Sequence, residues 1–389
     1  MQADHANSKI RLFLGSFAAL YGIGYLSYIL SPVVIGSIVQ GLGLDEAEAG
    51  IVATVELFTL ALCIFALAPR MAALPRRKLA FIGVALVIIG HGSSALAASF
   101  LFLLPARAVA GVGLGMLIAT GNAVVAGSGT PQRLFASAFA VGQLQAAALL
   151  LFVFPAIAER WSYHGTYGFL ALWALVMAPL LWFLPTSPPD SHQEAQSSPA
   201  TAGLFLLPSV LAMALIGASD ASVWTFTERI AAGLGLSAPQ AGSVLAGALI
   251  AGVIGSTLAG LLGTKLGERW PILIGSVLLA TAYFCVTNAT NGVVYSVAQV
   301  SVLGSYGFII PYLFGVNGRM DRQGRVMVAG SGAHLIGTGA GPLLAGQAII
   351  AVGYPGVGTL VFVMTIGCAV LFLIAIRSGT AKPATQTSQ

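Results

Sequence analysis

Apolar residues run in long stretches along the whole chain, and short clusters of turn-forming and charged residues separate these stretches. Each stretch covers roughly 20 residues and lacks the alternation typical of a membrane-spanning β-strand. Because a chain inside a bilayer must satisfy its own backbone hydrogen bonds, such stretches predict transmembrane helices. Twelve spans are predicted, at residues 11–39, 47–68, 79–98, 101–127, 133–157, 164–185, 203–231, 239–263, 270–289, 292–316, 326–351 and 356–376.

The composition agrees with this all-α polytopic membrane protein. Of the 389 residues, 57% are hydrophobic and only 7% are charged, and the mean hydropathy is +0.92. A soluble domain carries about 25% charged residues. The three cysteines, Cys63, Cys285 and Cys368, lie within apolar runs without disulfide or metal spacing, so neither a metal nor a cofactor is expected.

The basic residues predict the orientation. All but three of the 17 lysines and arginines, namely Arg107, Arg160 and Arg229, fall at the termini or in the loops that share a side with the termini. The positive-inside rule then places both termini in the cytoplasm, most simply of a bacterial inner membrane. This distribution explains the net charge of +5, so binding to nucleic acid is not expected.

The chain contains an internal repeat with an offset of 192 residues. The segment GLGLDEAEAGIV (41–52) matches GLGLSAPQAGSV (233–244) at seven of twelve positions, and the same offset pairs Arg77 with Arg269 and Gly115 with Gly307. A constant offset over half of the chain indicates duplication of a six-helix unit. The predicted domains are therefore two bundles, 1–186 and 203–389, related by a pseudo-twofold axis and joined by a cytoplasmic linker, 187–202.

This plan resembles the major facilitator superfamily over roughly residues 10–377. In span 4, RAVAGVGLG (107–115) is similar to the family's R-x3-G-x3-G pattern, and the resemblance implies a functional role for Arg107. Other motifs depart from the family. The loop APRMAALPRRK (68–78) has Ala72 at the position of the family's aspartate, and GLLGTKLGER (260–269) has Thr264 there. Span 5 lacks the antiporter pattern, whereas GTGAGPLLAG (337–346) in span 11 is similar to it.

Ionisable residues within spans are candidates for chemistry, because burying a charge in the bilayer is costly. Glu56 in span 2 and Asp220 in span 7 can each bind a proton, and Arg107 requires an anion, either an acidic side chain or a substrate carboxylate. His334 in span 11 can relay protons. The alternative for each is a structural role in bridging helices, and for His91 in span 3 packing is the preferred interpretation.

Polar and aromatic residues within the spans could line a substrate site, although bridging and packing roles are alternatives. The candidates are Tyr25, Tyr28, Asn122, Gln143, Gln145, Trp224, Gln299, Tyr306 and Asn317. Glu228 and Arg229, near the outer end of span 7, could form a gate pair or a solvated rim.

The sequence therefore predicts a monomeric secondary transporter that moves a small organic solute by alternating access. Coupling to protons (H+) as a symporter is expected, and a carboxylate that pairs with Arg107 is one candidate solute. The alternative is proton-driven efflux of an amphipathic or cationic compound, with Asp220 as its counter-ion. No phosphate-binding loop and no catalytic constellation occurs, which argues against an ATP-driven pump and an enzyme.

Overall fold

The computed structural model of the protein describes residues 2–71, 73–186, 207–263, 265, 267–320 and 325–379. The predicted linker and the loop residues Ala72 and Thr264 lie outside this part. Within it, ten helices are long and apolar enough to cross a membrane, and one of these, Val326–Ile376, bends at Gly353 into two spans. Together with a broken first span, they confirm the twelve-span, all-α architecture.

The spans keep their predicted numbers. Span 2 is Glu46–Leu67, span 3 Arg76–Ala95 and span 4 Phe100–Ala126. The helices Pro131–Phe152 and Phe154–Met177, with the 3-10 segment Ala178–Phe183, form spans 5 and 6, which are divided at the non-helical residue Ser162. Span 7 is Leu207–Gly233, span 8 Ala238–Leu262, span 9 Arg269–Thr287 and span 10 Gly292–Met320, and spans 11 and 12 are the two parts of Arg325–Gly379. Short loops make successive spans antiparallel. The face at which span 1 begins is called the N-terminal side below, and the other face the opposite side.

The first span is not the continuous helix that the apolar run predicts. It consists of Gln2–Phe17, a π-helical turn Ala18–Gly24, a short helix Leu26–Ile29 and a last helix Ser31–Leu42. Gly24 leaves no room for a side chain between the Ala19 carbonyl and Ile118 of span 4. Such π-helical turns inside helices are frequent at functional sites, and this one immediately precedes Tyr25 and Tyr28.

Span 5 is bent, and the chain reverses at Ser162. The helix Pro131–Phe152 is followed by Val153, which keeps a helical φ and ψ, and by further helical turns from Phe154, with Pro155 in the first of them. Proline lacks an amide hydrogen, so it interrupts the hydrogen bonding of a helix and bends it. The non-helical residue is Ser162, which has a φ of 50°, and span 6 follows it as far as Phe183, in agreement with the predicted bounds of 133–157 and 164–185.

The repeated GLGL segments have the same structure in both halves. Gly43 and Gly235 both adopt a positive φ, of 68° and 79°, which ends one helix. Asp45 and Ser237 then form capping boxes with Glu48 and Gln240, respectively, and so begin the next helix. Each corresponding pair is 192 residues apart, so the repeat preserves a helix stop followed by a helix start.

Glycines that follow these caps bring the two halves into contact. A side chain at Gly50 in span 2 would collide with the carbonyl oxygen of Pro342 in span 11. At the position related by the repeat, a side chain at Gly242 in span 8 would collide with the carbonyl oxygen of Leu150 in span 5. The two contacts differ by 192 residues at both partners, as expected for halves related by a pseudo-twofold axis. The interface between the two halves is called the seam below.

Candidate functional site

A buried ion pair occupies the centre of the N-terminal half. The Arg107 guanidinium, which is 1% exposed, donates to Glu56 Oε2 through Nη1. Its Nε donates to Ser94 Oγ at 3.1 Å, and its Nη2 lies 2.9 Å from His91 Nδ1. The ring of Tyr167 covers the guanidinium face at 4.4 Å. The predicted acid and base of this half are therefore partners, so the pair as a whole carries no net charge.

A glycine in span 4 allows this pair to form. Gly111 lies one turn after Arg107, and a side chain there would collide with the Glu56 carbonyl oxygen in span 2. Similarly, Gly90 in span 3 leaves no space for a side chain beside Ala110. These close approaches place spans 2, 3 and 4 within reach of the Arg107 side chain. The glycines of the R-x3-G motif thus have a packing role that supports the ion pair.

Ser27 completes the coordination of Glu56 from span 1, donating through Oγ to Oε1 at 2.5 Å. We expect Ser27→Ala to lower the stability of the purified protein by about 1–2 kcal/mol, because a buried carboxylate loses a hydrogen bond. Ser31→Ala is the matched control, since the buried Ser31 hydroxyl has no partner. Thermal unfolding in detergent measures both variants, and equal midpoints would contradict the role given to Ser27.

A second carboxylate lies on the seam. Asp220 Oδ2 accepts a hydrogen bond from the Tyr28 hydroxyl at 2.7 Å, and Oδ1 accepts one from the Tyr283 hydroxyl at 3.2 Å. Trp224 Nε1 donates to the Tyr28 carbonyl oxygen at 3.2 Å. Tyr28 and Asp220 are 192 residues apart, so these repeat-related positions meet at the axis between the halves. Asp220 is thus held by both halves at once.

A small cavity lies between the Glu56–Arg107 pair and Tyr28, the partner of Asp220. Its volume is about 20 Å³, room for about one water. Glu56 and Arg107 line it from spans 2 and 4, and Tyr28, which holds Asp220, lines it from span 1. The structure therefore places the predicted charged residues Glu56, Arg107 and Asp220 around a single region in the middle of the membrane.

Other predicted residues form pairs in the C-terminal half. The Tyr306 hydroxyl lies 2.9 Å from His334 Nε2, joining spans 10 and 11. Gln299, at the position related to Arg107 by the repeat, is fully buried, and its Oε1 accepts a hydrogen bond from Thr227 Oγ1 at 2.8 Å. Asn317 is also fully buried, and neither of its amide atoms has a partner.

The remaining predicted ligands do not join these clusters. The Tyr25 ring packs against Tyr21, with centroids 5.3 Å apart, and Tyr25 is hydrogen-bonded to Asn122, an exposed residue near the C-terminal end of span 4. Gln143 and Gln145 in span 5 each have one buried amide atom without a partner. These four residues stay predictions as substrate ligands.

Sequence analysis did not select several members of the clusters. Ser27, Ser94, Tyr167 and Tyr283 are ordinary span residues by sequence, and only their contacts with Arg107, Glu56 or Asp220 distinguish them. His91, for which the sequence favours a packing role, stacks on Tyr167 and lies within hydrogen-bond distance of Arg107. One signal existed: Tyr283 is the repeat partner of His91, so the same position carries a polar ring in each half.

Polar contacts close the seam on the opposite side. Arg229 Nη2 lies 3.6 Å from Glu46 Oε1 of span 2, rather than pairing with the neighbouring Glu228, and Tyr354 Oη donates to the same Glu46 oxygen at 3.4 Å. The Leu343 amide donates to Thr54 Oγ1 at 3.0 Å. Each of these contacts joins one half to the other.

On the N-terminal side, the arginine contacts stay within one half. Arg77 Nε donates to the Leu184 carbonyl oxygen at 2.8 Å, joining spans 3 and 6. Arg319 pairs with Glu268, joining spans 9 and 10. Polar contacts therefore join the halves at mid-membrane and on the opposite side, so the protein is closed toward the opposite side. On the N-terminal side, Phe65 of span 2 lies against Gly332 of span 11.

Comparison with known proteins identifies the family. The family model described as Major Facilitator Superfamily matches residues 12–215 and 209–389. A bacterial homologue of the human lysosomal transporter Spinster, solved in an inward-facing, unoccupied conformation, has 16% identity and a TM-score of 0.72, covering 95% of this chain and 96% of its own.

Two further solved structures have the same fold. The nucleoside transporter NupG has 13% identity and a TM-score of 0.75, covering 95% of this chain and 99% of its own. A D-xylose–proton symporter has 17% identity and a TM-score of 0.70, covering 98% of each chain. None of the curated proteins matches the sequence significantly. At these identities the structural likeness shows the fold alone, but the family model covers nearly the whole chain, and the chain therefore belongs to the major facilitator superfamily.

Proposed function

We propose that this transporter moves a small organic solute by alternating access and couples this movement to protons as a symporter. The observation that carries the proposal is the Asp220 carboxylate, which accepts hydrogen bonds from Tyr28 of one half and Tyr283 of the other. A carboxylate that is hydrogen-bonded to both halves changes its hydrogen bonds when the two halves move. Its proton affinity and the conformation are then linked, because each state offers the carboxylate different partners.

The contacts of Asp220 are all with neutral groups. Both tyrosine hydroxyls stabilise an ionised carboxylate by donating to it, but neither supplies a positive charge. When the halves separate around Tyr28, Asp220 loses a donor, and binding of a proton or a cation becomes more favourable. Asp220 therefore fits the role of the coupling site, and Tyr283 keeps it in place from its own half.

The Glu56–Arg107 pair fits recognition of an anionic solute. Arg107 is occupied by Glu56, so a solute carboxylate can reach the guanidinium only by replacing this partner. Protonation of Glu56 would leave Arg107 with an uncompensated buried charge, which favours an incoming carboxylate. Proton and solute would then bind together, as symport requires. The likeness to a D-xylose–proton symporter is consistent with proton coupling, and the same fold in NupG with small organic solutes.

Orientation and assembly are parts of the same proposal. The excess of basic residues on the N-terminal side supports a cytoplasmic location for that side, and a bacterial inner membrane suits a proton gradient. Because the proposed sites all lie within one chain, the monomer is the proposed working unit.

Asp220→Asn tests the coupling. In liposomes with an imposed pH gradient and labelled carboxylates, sugars and nucleosides, the parent protein should accumulate one class of solute above its outside concentration. Asp220→Asn should lose this accumulation but keep exchange of labelled for unlabelled solute, because the amide cannot carry a proton. Glu48→Gln, which changes an exposed acid at the start of span 2, is the matched control. Full accumulation by Asp220→Asn would refute coupling at this site.

The alternative is efflux of an amphipathic cation in exchange for protons. The observation in its favour is that Asp220 has hydroxyl partners only, whereas Arg107 is already paired. An ammonium group could then compete with the proton for Asp220. The same liposomes distinguish the two functions: a fluorescent amphipathic cation moving against the direction of proton flow supports antiport, and a carboxylate moving with the protons supports symport.

A further inference from the structure

A cavity between the two halves lies on the opposite side, away from the cluster around Asp220. Its volume is about 200 Å³. Span 1 lines it with Gly36, Ser37 and Gln40, and span 7 contributes Glu228. Glu228 lies two helical turns beyond Asp220 along span 7, roughly 12 Å away at 1.5 Å per residue. The cavity is therefore separate from the site proposed above.

The Glu228 side chain lies across the seam, and one of its two carboxyl oxygens has no hydrogen-bond partner among the described residues. Its Oε2 is buried and unpaired, and it lies against Gly36 of span 1, where only a glycine leaves room for the carboxyl group. Ser162, which lines the same cavity where the chain passes from span 5 to span 6, has a φ of 50°. Non-glycine residues with such backbone strain cluster at functional sites and at elements that move.

Among the described residues, no cation forms an ion pair with this oxygen. Arg229, the nearest cation along span 7, directs Nη2 to Glu46 of span 2. The hydroxyls of Tyr354 in span 12 and Tyr295 in span 10 also lie near Glu228, but they bond to Glu46 and to Thr227. Spans 1, 5 and 6 add only serine, glutamine and apolar groups to the lining.

We propose that Glu228 is a second proton-binding site, and that the opposite side closes on its protonated form. Closure transfers Glu228 Oε2 from water into the seam, where none of the described residues donates a hydrogen bond to it. This transfer costs far more free energy for an ionised carboxylate than for a neutral carboxyl group. Proton binding and closure therefore favour each other, and a solvent-exposed Glu228 releases its proton more easily when the side is open.

A proton fits this site better than a metal ion. Within the described residues, no group of three or more His, Cys, Asp or Glu side chains could hold a metal. The Ser37 hydroxyl already donates to the Val34 carbonyl oxygen at 2.8 Å. Glu228 is the only acid that lines the cavity, so occupancy by one proton is enough to remove its charge.

Accessibility of the cavity at different pH values tests the proposal. Ser37→Cys, introduced after replacement of the three native cysteines, reports on the buried lining of the cavity, and Thr290→Cys, on an exposed turn of the same side, corrects for thiol reactivity. The purified protein is labelled with a membrane-impermeant maleimide without solute or gradient. The Ser37→Cys rate relative to that of Thr290→Cys should rise about fivefold or more from about pH 5.5 to about pH 8.

Glu228→Gln imitates the protonated side chain. In this variant, the relative labelling rate of Ser37→Cys should therefore be low and independent of pH. Glu48→Gln, on the same side, should retain the pH dependence. A flat profile for the unsubstituted Glu228 protein, or an unchanged slope in Glu228→Gln, would overturn the proposal. An equal response to sodium at constant pH would also overturn it, in favour of a metal cation. Because no solute takes part, failure here leaves the assignment of Asp220 standing.

Discussion

Arg107→Met should destabilise the protein by about 3–5 kcal/mol and abolish transport, because it leaves the Glu56 charge buried without a partner. Arg107 is 1% exposed and contacts Glu56, Ser94, His91 and the face of Tyr167. Methionine replaces most of the side-chain volume but none of these donors. The thermal midpoint in detergent and the chemical denaturation curve measure the loss.

The double variant Glu56→Gln/Arg107→Met separates charge from packing. Removing both members of a buried pair is often close to neutral, so the double variant should recover much of the stability that Arg107→Met loses. Arg133→Met, at an exposed position at the start of span 5, is the matched control and should change stability by less than about 0.5 kcal/mol. If the double variant were as unstable as the summed single changes, Glu56 and Arg107 would not act as a pair.

Gly50→Ala should prevent closure on the opposite side and so reduce transport strongly. The new methyl group would collide with the backbone carbonyl of Pro342 across the seam. Because the obstructing atom belongs to the backbone, a change of side-chain rotamer cannot relieve the collision. Overpacking of this kind costs about 1–3 kcal/mol, which corresponds to a closed state populated about 5- to 150-fold less. Gly242→Ala should act in the same way, because it meets the Leu150 carbonyl at the repeat-related contact.

Transport rate and labelling of Ser37→Cys measure this effect together. Both glycine variants should transport slowly and expose the Ser37 position more, while the thermal midpoint changes little, because an open conformation remains available to them. Gly168→Ala in span 6 is the matched control, since a methyl group there meets nothing within 4 Å. Equal labelling of Gly50→Ala and Gly168→Ala would show that the close approach does not limit closure.

The twelve-span plan could be derived from the sequence because the length of an apolar run is a local property. A run such as 47–68 must cross the bilayer wherever its neighbours lie. The GLGL segments are local in the same sense: a glycine with positive φ and a capping box are read from a few adjacent residues. The break in span 1 is not visible in the apolar run, and the residue that packs against Gly24 beside it, Ile118, belongs to span 4.

The candidate site could be predicted only in part. Burial of charge in the bilayer marks Glu56, Arg107 and Asp220 in any sequence with this composition. The side chains that contact them could not be predicted, because His91, Ser94 and Tyr283 come from other spans. The repeat supplied one clue to long-range contact, since equivalent positions that touch must lie near the axis, and Tyr28 and Asp220 are such positions.

By itself, the sequence determined the number of spans, the duplication and the charged residues that the membrane makes costly. The tertiary structure decided that Glu56 and Arg107 neutralise each other, that Asp220 is shared by both halves, and that Glu228 lies unpaired at a closed seam. The physical reason is that hydropathy and capping act along a few turns of one helix. Charge pairing requires atoms of separate helices to come within about 3 Å, and glycines at helix crossings permit that approach only after the chain has folded.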